Sequence, residues 1–213
     1  MDEMQHIPVL LKECLDGLAI RPDGFYLDGT LGGAGHSSLI ASKLTTGHLY
    51  GFDQDEDAIK AASERLDEFK DKVHVPIINM VDETVKYCVD SGYSQVGLLC
   101  TIGTKNTGLY QKACDRFNLK LIVPDDEEIK ALQDMIYSGV KANNFNYDTS
   151  NVKQVISTMR NRGAQAFILG CTETPIAVQM YHIEGNFIDS SLVLAHKAIE
   201  AVGAPLIKSH AVT

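Results

Sequence analysis

The stretch FYLDGTLGGAGHSS, residues 25–38, decides the fold that we expect for the first part of the chain. A short apolar strand leads into the closely spaced Gly32, Gly33 and Gly35, and a helix-like run follows. Glycines at such a turn let the backbone bend sharply and let a ligand approach it. The dinucleotide pattern G-x-G-x-x-G is not met, because Ser38 stands where the third glycine would be. A pyrophosphate site is therefore disfavoured.

The next predicted strand, HLYGFD at residues 48–53, ends in the acid Asp53. Ligands of parallel α/β sheets bind at the carboxyl ends of the strands, where an acid can accept the ribose hydroxyls of an adenosine ligand. The same residues also fit a second interpretation, a glycine-rich strand-to-helix turn with a solvated acidic cap. The local pattern leaves both open.

The rest of the chain alternates strand-like and helix-like segments, which predicts an α/β fold with parallel sheets. The predicted strands are GFYLDG, HLYGFD, VHVPIINM, QVGLLCT, LKLIVP and QAFILG. The predicted helices are VLLKECLDGL, HSSLIASKL, EDAIKAASERLDEF, DETVKYCVDSG, TGLYQKACDRF, DEEIKALQDMIYSG, TSNVKQVISTMRNRG and a closing helix around SSLVLAHKAIEAV. No linker-like segment separates them, so any join lies inside the fold.

Composition restricts the class of protein. The chain is 45% hydrophobic and 22% charged, with no apolar run near the roughly 20 residues of a membrane span, which predicts a soluble, cytoplasmic protein. The net charge is −9, and the first 75 residues carry 7 basic against 14 acidic side chains. This balance argues against a nucleic-acid partner. The five scattered cysteines have no metal-ligand spacing and are expected to be reduced, so we predict no metal site.

Residues 5 to 73, from HIPVLLKE through GHLYGFDQDEDAIKAASERL, closely resemble the N-terminal part of the bacterial small-subunit ribosomal RNA cytosine-N4 methyltransferases. That family uses S-adenosylmethionine. The resemblance places Asp53 at the ribose and the glycine turn at the methionine end of the cofactor. His36 also fits a second interpretation, in which it simply begins a helix. The cofactor-binding residues that it implies are Gly33, Ala34, Gly35, His36 and Asp53. After DKVHV the resemblance stops, before the family's catalytic region and RNA-binding insertion.

From about Pro76 the chain resembles the aspartate/glutamate racemases, most specifically at LGCTE. These enzymes need no cofactor and have two similar lobes, each of which supplies one cysteine to one face of the α-carbon. The resemblance implies that Cys171 is a catalytic thiol and that the substrate carboxylates are held by Thr101, Thr104, Lys141 and Thr172. The first-lobe cysteine motif of the family does not occur in residues 1–75, so two-base racemisation lacks its second base.

These two resemblances lead us to interpret the chain as an engineered chimera, or at least a recombinant, joined near residues 73–76. The expected architecture is Rossmann-like or flavodoxin-like, with three αβα layers and two small lobes in the racemase arrangement. Residues 1–94 with 190–213 would form a first lobe of methyltransferase origin, and 95–189 the second. We expect the glycine turn and Asp53 to face the cleft between the lobes.

Three functions are consistent with this organisation. The first is a designed scaffold without native activity, which requires no cofactor. The second is binding of S-adenosylmethionine or a related adenosine compound, and the third is residual racemase-like activity of Cys171. The expected partner is a small molecule in the cleft, with no nucleic acid and no membrane. The oligomeric state, including a homodimer, is left open.

Overall fold

The computed structural model describes residues 9–69 and 76–206. The chain divides into two compact units, Met1–Met80 and Val81–Thr213, and each contains its own parallel β-sheet. The predicted α/β class with parallel sheets is confirmed. Within the described residues, none of the helices combines the length and apolar character needed to cross a membrane.

The N-terminal unit is built on a three-stranded parallel sheet in the order β1-β2-β3. Its strands are β1 (Phe25–Asp28), β2 (His48–Asp53) and β3 (Ile77–Asn79), and its helices are α1 (Leu11–Leu18), α2 (Gly35–Lys43) and α3 (Glu56–Leu66). A 3₁₀ turn, Asp67–Phe69, follows α3. Residues 73–75 of the predicted third strand lie outside the described residues.

The three helices of this unit pack on one face of its sheet. That face carries Tyr26, the fully buried Leu49 and Ile77, because side chains alternate between the two faces of a strand. The opposite face of the edge strand β1 exposes Phe25 by 64% and Leu27 by 55%. The described part of this unit therefore covers one face of its sheet with helices.

The second unit contains a four-stranded parallel sheet in the order β5-β4-β6-β7. Its strands are β4 (Gln95–Leu99), β5 (Lys120–Ile122), β6 (Ala166–Leu169) and β7 (Phe187–Asp189). The helices are α4 (Met80–Asp90), α5 (Ile102–Thr107), α6 (Leu109–Arg116), α7 (Asp126–Asp134), α8 (Ser150–Asn161), α9 (Glu173–Met180) and α10 (Ser190–Ala201).

Two separate clusters of buried residues lie on the two faces of this second sheet. Val96, Leu98 and Ile168 join α4, α6 and α10 on one side. Leu99 and Phe167 join α7, α8 and α9 on the other. The second unit thus has the predicted three αβα layers.

Three local features differ from the sequence-based expectation. The three-residue strand β7 was not among the predicted strands, and α5 forms a separate short helix before α6. The helix predicted over residues 126–139 changes at Met135–Val140 into a π-helix. Gly139 in this turn packs so closely that a Cβ there would lie 2.6 Å from the Tyr181 hydroxyl.

The helices α4 and α10 pack on the second sheet, whereas the predicted lobes grouped them with the N-terminal unit. Val81, Val85 and Cys88 of α4 are buried in the same cluster as the strands β4 and β6, and Val193 of α10 joins them. Burial of these apolar side chains explains the difference, because the face of β4 that carries Val96 needs a helical layer.

Candidate functional site

The glycine turn after β1 is closed by the carboxylate of Asp53 at the end of β2. Its Oδ2 accepts the backbone N–H of Gly32 at 2.8 Å. Its Oδ1 accepts the N–H groups of Gln54 at 2.7 Å and Asp55 at 3.0 Å. The parallel β1–β2 pairing brings the two strand ends together, so this acid can reach across 21 residues of sequence.

The backbone of the turn adopts the left-handed conformation twice, at Gly32 with φ of 51° and at Ala34 with φ of 56°. Glycine adopts this region without steric cost, whereas alanine is strained there. The Ala34 side chain is completely buried in the core cluster of the unit. Of the predicted cofactor-binding residues, Ala34 can therefore offer a ligand only its backbone.

Gly35 and His36 begin α2, directly after this strained turn. The Nε2 atom of His36 is buried and has no hydrogen-bond partner among the described residues. A buried polar atom without a partner is costly, and a ligand atom is one way to satisfy it. Gly33 is exposed, and its carbonyl accepts a hydrogen bond from Arg65 Nη1 at 2.6 Å.

Sequence reasoning did not identify the polar contacts that Arg65 and Asp28 make around the turn. Arg65 lies on α3, 32 positions after Gly33, and its sequence context carries no signal for this contact. Asp28 at the end of β1 accepts the Ser37 hydroxyl at 2.7 Å and the Thr30 N–H at 3.1 Å. Asp28 was visible in the quoted stretch as the acid at the end of the strand, and this was the signal that could have identified it.

The donors and acceptors of this turn fit an adenosine ligand in part. Asp53 already accepts three backbone N–H groups, and a carboxylate offers about four acceptor positions. One position at Oδ2 is left for a ribose hydroxyl without loss of a turn hydrogen bond. The buried His36 Nε2 lacks a partner that a ligand atom could supply, and the exposed Gly33 leaves room for close approach.

The second candidate site lies at the carboxyl edge of the four-stranded sheet. Leu99 of β4 pairs with Leu169 of β6, so Thr101 and Cys171 each follow a strand by two residues at the same edge. Lys141 reaches this edge through an ion pair of 3.3 Å with Glu173, and Thr172 Oγ1 donates to the other Glu173 oxygen at 3.1 Å. The predicted Thr101, Thr104, Lys141, Cys171 and Thr172 are thus all near one end of this sheet.

The thiol of Cys171 lies at the start of α9 and is half-buried. Burial raises the pKa of this thiol, while the Thr174 side chain and the backbone N–H groups of Thr174 and Glu173 oppose that rise. Nucleophilic or basic thiols require a lowered pKa. The protonated thiol is therefore favoured at neutral pH.

The hydroxyls of Thr101 and Thr104 are 3.3 Å apart, and Thr101 accepts the Thr104 N–H at 3.4 Å. Both side chains are half-buried, so they can still reach a ligand. Lys141 Nζ forms the ion pair with Glu173 and also lies 4.6 Å from the centroid of the Tyr137 ring. A substrate carboxylate would have to compete with Glu173 for this ammonium group.

The other cysteines differ from Cys171 in their surroundings. Cys88, Cys100 and Cys114 are buried, and burial raises the pKa of each thiol to about 12. Cys14 is exposed on α1. Residues 9–69 and 76–206 contain no group of three His, Cys, Asp or Glu side chains placed to hold a metal ion.

Two family models match the chain, and each covers half of it or more. The MraW methylase family matches residues 3–109, and the Asp/Glu/hydantoin racemase family matches residues 59–198. Both matches cover residues 59–109, whereas the sequence resemblances met at residues 73–76. This shared region contains β3, α4 and β4, and its two strands belong to different sheets.

The similarity to methylases is found with curated proteins. The ribosomal RNA small subunit methyltransferase H of Lachnospira eligens is 49% identical over 106 residues, which are 49% of this chain and 33% of that protein. A protein of the same description from Agathobacter rectalis is 57% identical over 81 residues, 38% of this chain and 26% of that one. The chain thus spans about a third or less of the length of these relatives.

The similarity to racemases is found with solved structures. The aspartate racemase of Picrophilus torridus is 25% identical, with a TM-score of 0.50, and the match covers 76% of this chain and 64% of that one. An aspartate racemase homologue from Pyrococcus horikoshii shares the fold, with 19% identity and a TM-score of 0.57 over 86% of this chain and all of that one. The chain therefore belongs to the MraW methylase family through residues 3–109 and to the Asp/Glu/hydantoin racemase family through residues 59–198.

Proposed function

We propose that the chain is an engineered recombinant of two α/β parents that binds an adenosine ligand in its N-terminal unit and completes neither parental reaction. The overlap of the two family matches over residues 59–109 supports recombination, because joined whole domains would give matches side by side. In the described residues, the sheet edge of the second unit carries one accessible thiol, and the racemase reaction needs two opposed proton carriers.

The binding function rests on one observation, the turn that Asp53 holds through Gly32 with the unpartnered His36 Nε2 beside it. S-adenosylmethionine suits this turn because its ribose offers hydroxyl donors to the free Oδ2 position of Asp53. Its amino acid group offers hydrogen-bonding atoms to His36. When bound, this ligand supplies an activated methyl group. The residues of the turn bind and orient it.

Titration calorimetry with S-adenosylmethionine and with S-adenosylhomocysteine tests the binding proposal. We expect heat of binding for both compounds, since both carry the adenosine part. Asp53→Asn should weaken both at least tenfold, whereas Asp55→Asn, which removes a nearby exposed carboxylate, should not. Absence of heat at millimolar ligand, or equal affinity in Asp53→Asn, would contradict the proposal.

The absence of turnover is tested separately. The protein is incubated with S-adenosylmethionine and small-subunit ribosomal RNA, and with L-aspartate or L-glutamate alone. We expect neither methylated RNA by mass spectrometry nor the D-amino acid by chiral chromatography. Either product, if lost in Asp53→Asn or Cys171→Ala respectively, would overturn this part of the proposal.

A second candidate function is residual chemistry at Cys171, favoured by the half-buried thiol at the same sheet edge as the Thr101–Thr104 hydroxyl pair. The thiolate would take the α-proton of aspartate, breaking the C–H bond and forming S–H, with the electron pair delocalised into the α-carboxylate. Return of a solvent-exchanged proton from the same sulfur would restore the C–H bond. We expect deuterium uptake at the α-carbon in D₂O. An equal rate in Cys171→Ala would eliminate this candidate.

A further inference from the structure

The start of α9 contains a second hydroxyl residue that no resemblance singled out. Thr174 is 1% exposed, and its Oγ1 lies 3.7 Å from the Sγ of Cys171. The same hydroxyl donates to the Cys171 carbonyl at 2.8 Å, and the Thr174 N–H reaches that carbonyl at 3.3 Å. A single buried hydroxyl therefore contacts both the backbone and the sulfur of the cysteine.

These contacts allow two arrangements of one hydroxyl proton. With the thiol protonated, the Thr174 hydroxyl donates to the Cys171 carbonyl and the thiol donates to Oγ1. With the thiol ionised, the hydroxyl can rotate and donate to the sulfur, together with the backbone N–H groups of Thr174 and Glu173 that already favour the thiolate. Hydrogen bonds to charged acceptors are stronger than those to neutral ones, so the second arrangement stabilises the thiolate.

We propose that Thr174 is a positioning residue for Cys171, and that rotation of its hydroxyl from the Cys171 carbonyl to Sγ stabilises the thiolate form. This inference deepens the second candidate function, in which Cys171 carries the proton. It gives a buried threonine a role that an apolar residue of the same shape cannot perform.

Other charged and polar groups near the sulfur also affect the stability of the Cys171 thiolate. Glu173, next in the chain, carries a negative charge that opposes the thiolate, and Lys141 pairs with that carboxylate at 3.3 Å. Cys100 after β4 and Tyr110 on α6 also interact electrostatically with Cys171, and both are buried. Glu173 acts on the sulfur through its backbone N–H, and no side chain of these groups donates a hydrogen bond to the sulfur in the described residues, so Thr174 is the side chain to test.

The test measures how fast Cys171 reacts with iodoacetamide as a function of pH. It uses the full chain with Cys14→Ser, which removes the exposed thiol of α1. Thr174→Val should lower the alkylation rate about tenfold at pH 8, the size expected for loss of one hydrogen bond to a charged group. The rate plateau at high pH should be unchanged, and Thr174→Ser should restore the original profile.

The matched control is Thr107→Val, because the Thr107 hydroxyl also donates to the carbonyl three residues earlier, at 2.8 Å, without contacting a thiol. This control should leave the profile unchanged. Equal rates in Thr174→Val and the parent would overturn the proposal, as would a lowered plateau or a failure of Thr174→Ser to restore the rate. The alkylation readout is independent of turnover, so loss of deuterium uptake alone would contradict only the second candidate function.

Discussion

Asp53 and Gly32 are joined by a hydrogen bond of 2.8 Å from the Gly32 N–H to the Asp53 carboxylate, and this bond fixes the glycine turn to the end of the neighbouring strand. The same carboxylate accepts two further N–H groups at the start of the next loop. One acid thus orders both loops at which an adenosine ligand is proposed to bind.

Replacement of this acid should therefore cost stability as well as affinity. Asp53→Ala leaves three backbone donors without their acceptor, and we expect the free energy of unfolding to fall by about 2 kcal/mol. Urea denaturation measures the change. Asp57→Ala, at an exposed position of the following helix, is the control. A loss below about 0.5 kcal/mol would mean that water replaces the carboxylate without penalty.

The environments of the cysteines predict which thiols react in the folded protein. Cys14 is exposed and Cys171 is half-buried, whereas burial raises the pKa of Cys88, Cys100 and Cys114 to about 12. We expect a thiol reagent at pH 8 to modify Cys14 and Cys171 in the native protein and all five cysteines in urea. Peptide mass spectrometry identifies the sites. Rapid native labelling of Cys88 would contradict the packing of α4 on its sheet.

The ion pair between Arg162 and Glu128 should stabilise the second unit. Arg162 Nη2 donates to both Glu128 oxygens, at 2.7 and 2.6 Å, and the Glu128 side chain is only 9% exposed. Arg162→Ala leaves this carboxylate with the Asp125 N–H as a donor. We expect a loss of about 2 kcal/mol by chemical denaturation, with Glu127→Gln as an exposed control. If Arg162→Ala caused no measurable loss of stability, water would hydrate the Glu128 carboxylate as favourably as Arg162 pairs with it.

The cap of α7 should make stability depend on pH in the acid range. The N–H groups of Glu128 and Glu127 donate to Asp125 and hold the pKa of its carboxyl below the usual value. A carboxyl with a lowered folded-state pKa contributes stability that is complete above its unfolded pKa and is lost as the pH falls through the folded pKa. Unfolding measured from pH 7 to pH 3 should lose stability less steeply in Asp125→Asn than in the wild type. A Glu184→Gln control should retain the wild-type profile, and identical slopes in all three would contradict the effect.

Close packing between Gly47, which precedes β2, and Gly24, which precedes β1, predicts a strong effect of one methyl group. A Cβ at Gly47 would collide with the Gly24 carbonyl oxygen and backbone nitrogen, neither of which can move aside without displacing β1. Gly47→Ala should destabilise the protein by about 1–3 kcal/mol. The contrasting change is Gly17→Ala in α1, where nothing lies within 4 Å and a gain of about 0.5–1 kcal/mol is expected. Thermal or urea unfolding separates the two, and equal effects would refute the packing argument.

Patterns that depend on neighbouring residues were predictable from the sequence, and contacts between distant side chains were not. The strands β1 and β2 and the acid at the end of β2 follow from local apolar pattern and turn chemistry. The contact of Arg65 with Gly33 depends on how α3 lies over the turn, and no local pattern encodes it. The strand β7 was not predicted because its three residues run directly into the helix-like sequence of α10.

The same limit applies to the candidate residues of the second unit. The motif around Cys171 indicated a thiol at a strand-to-helix junction, which the structure contains. Its elevated pKa follows from burial, which depends on the packing of the whole unit. The ion pair between Lys141 and Glu173 likewise joins two segments that are 32 residues apart in the sequence, so no local pattern indicates it.

The strand order of the two sheets has a consequence for how the chain folds during synthesis. In the N-terminal sheet each strand pairs with the strand that precedes it, so this unit can assemble progressively as the chain leaves the ribosome. In the second sheet β4 pairs with β6 as well as with β5. Leu99 of β4 can pair with Leu169 of β6 only after 70 more residues have been synthesised. Closing that long loop is the slower event, because non-local pairing must meet its entropy cost before contacts form. The N-terminal unit is therefore expected to be structured first, while the apolar central strand β4 of the second sheet still lacks its pairing with β6.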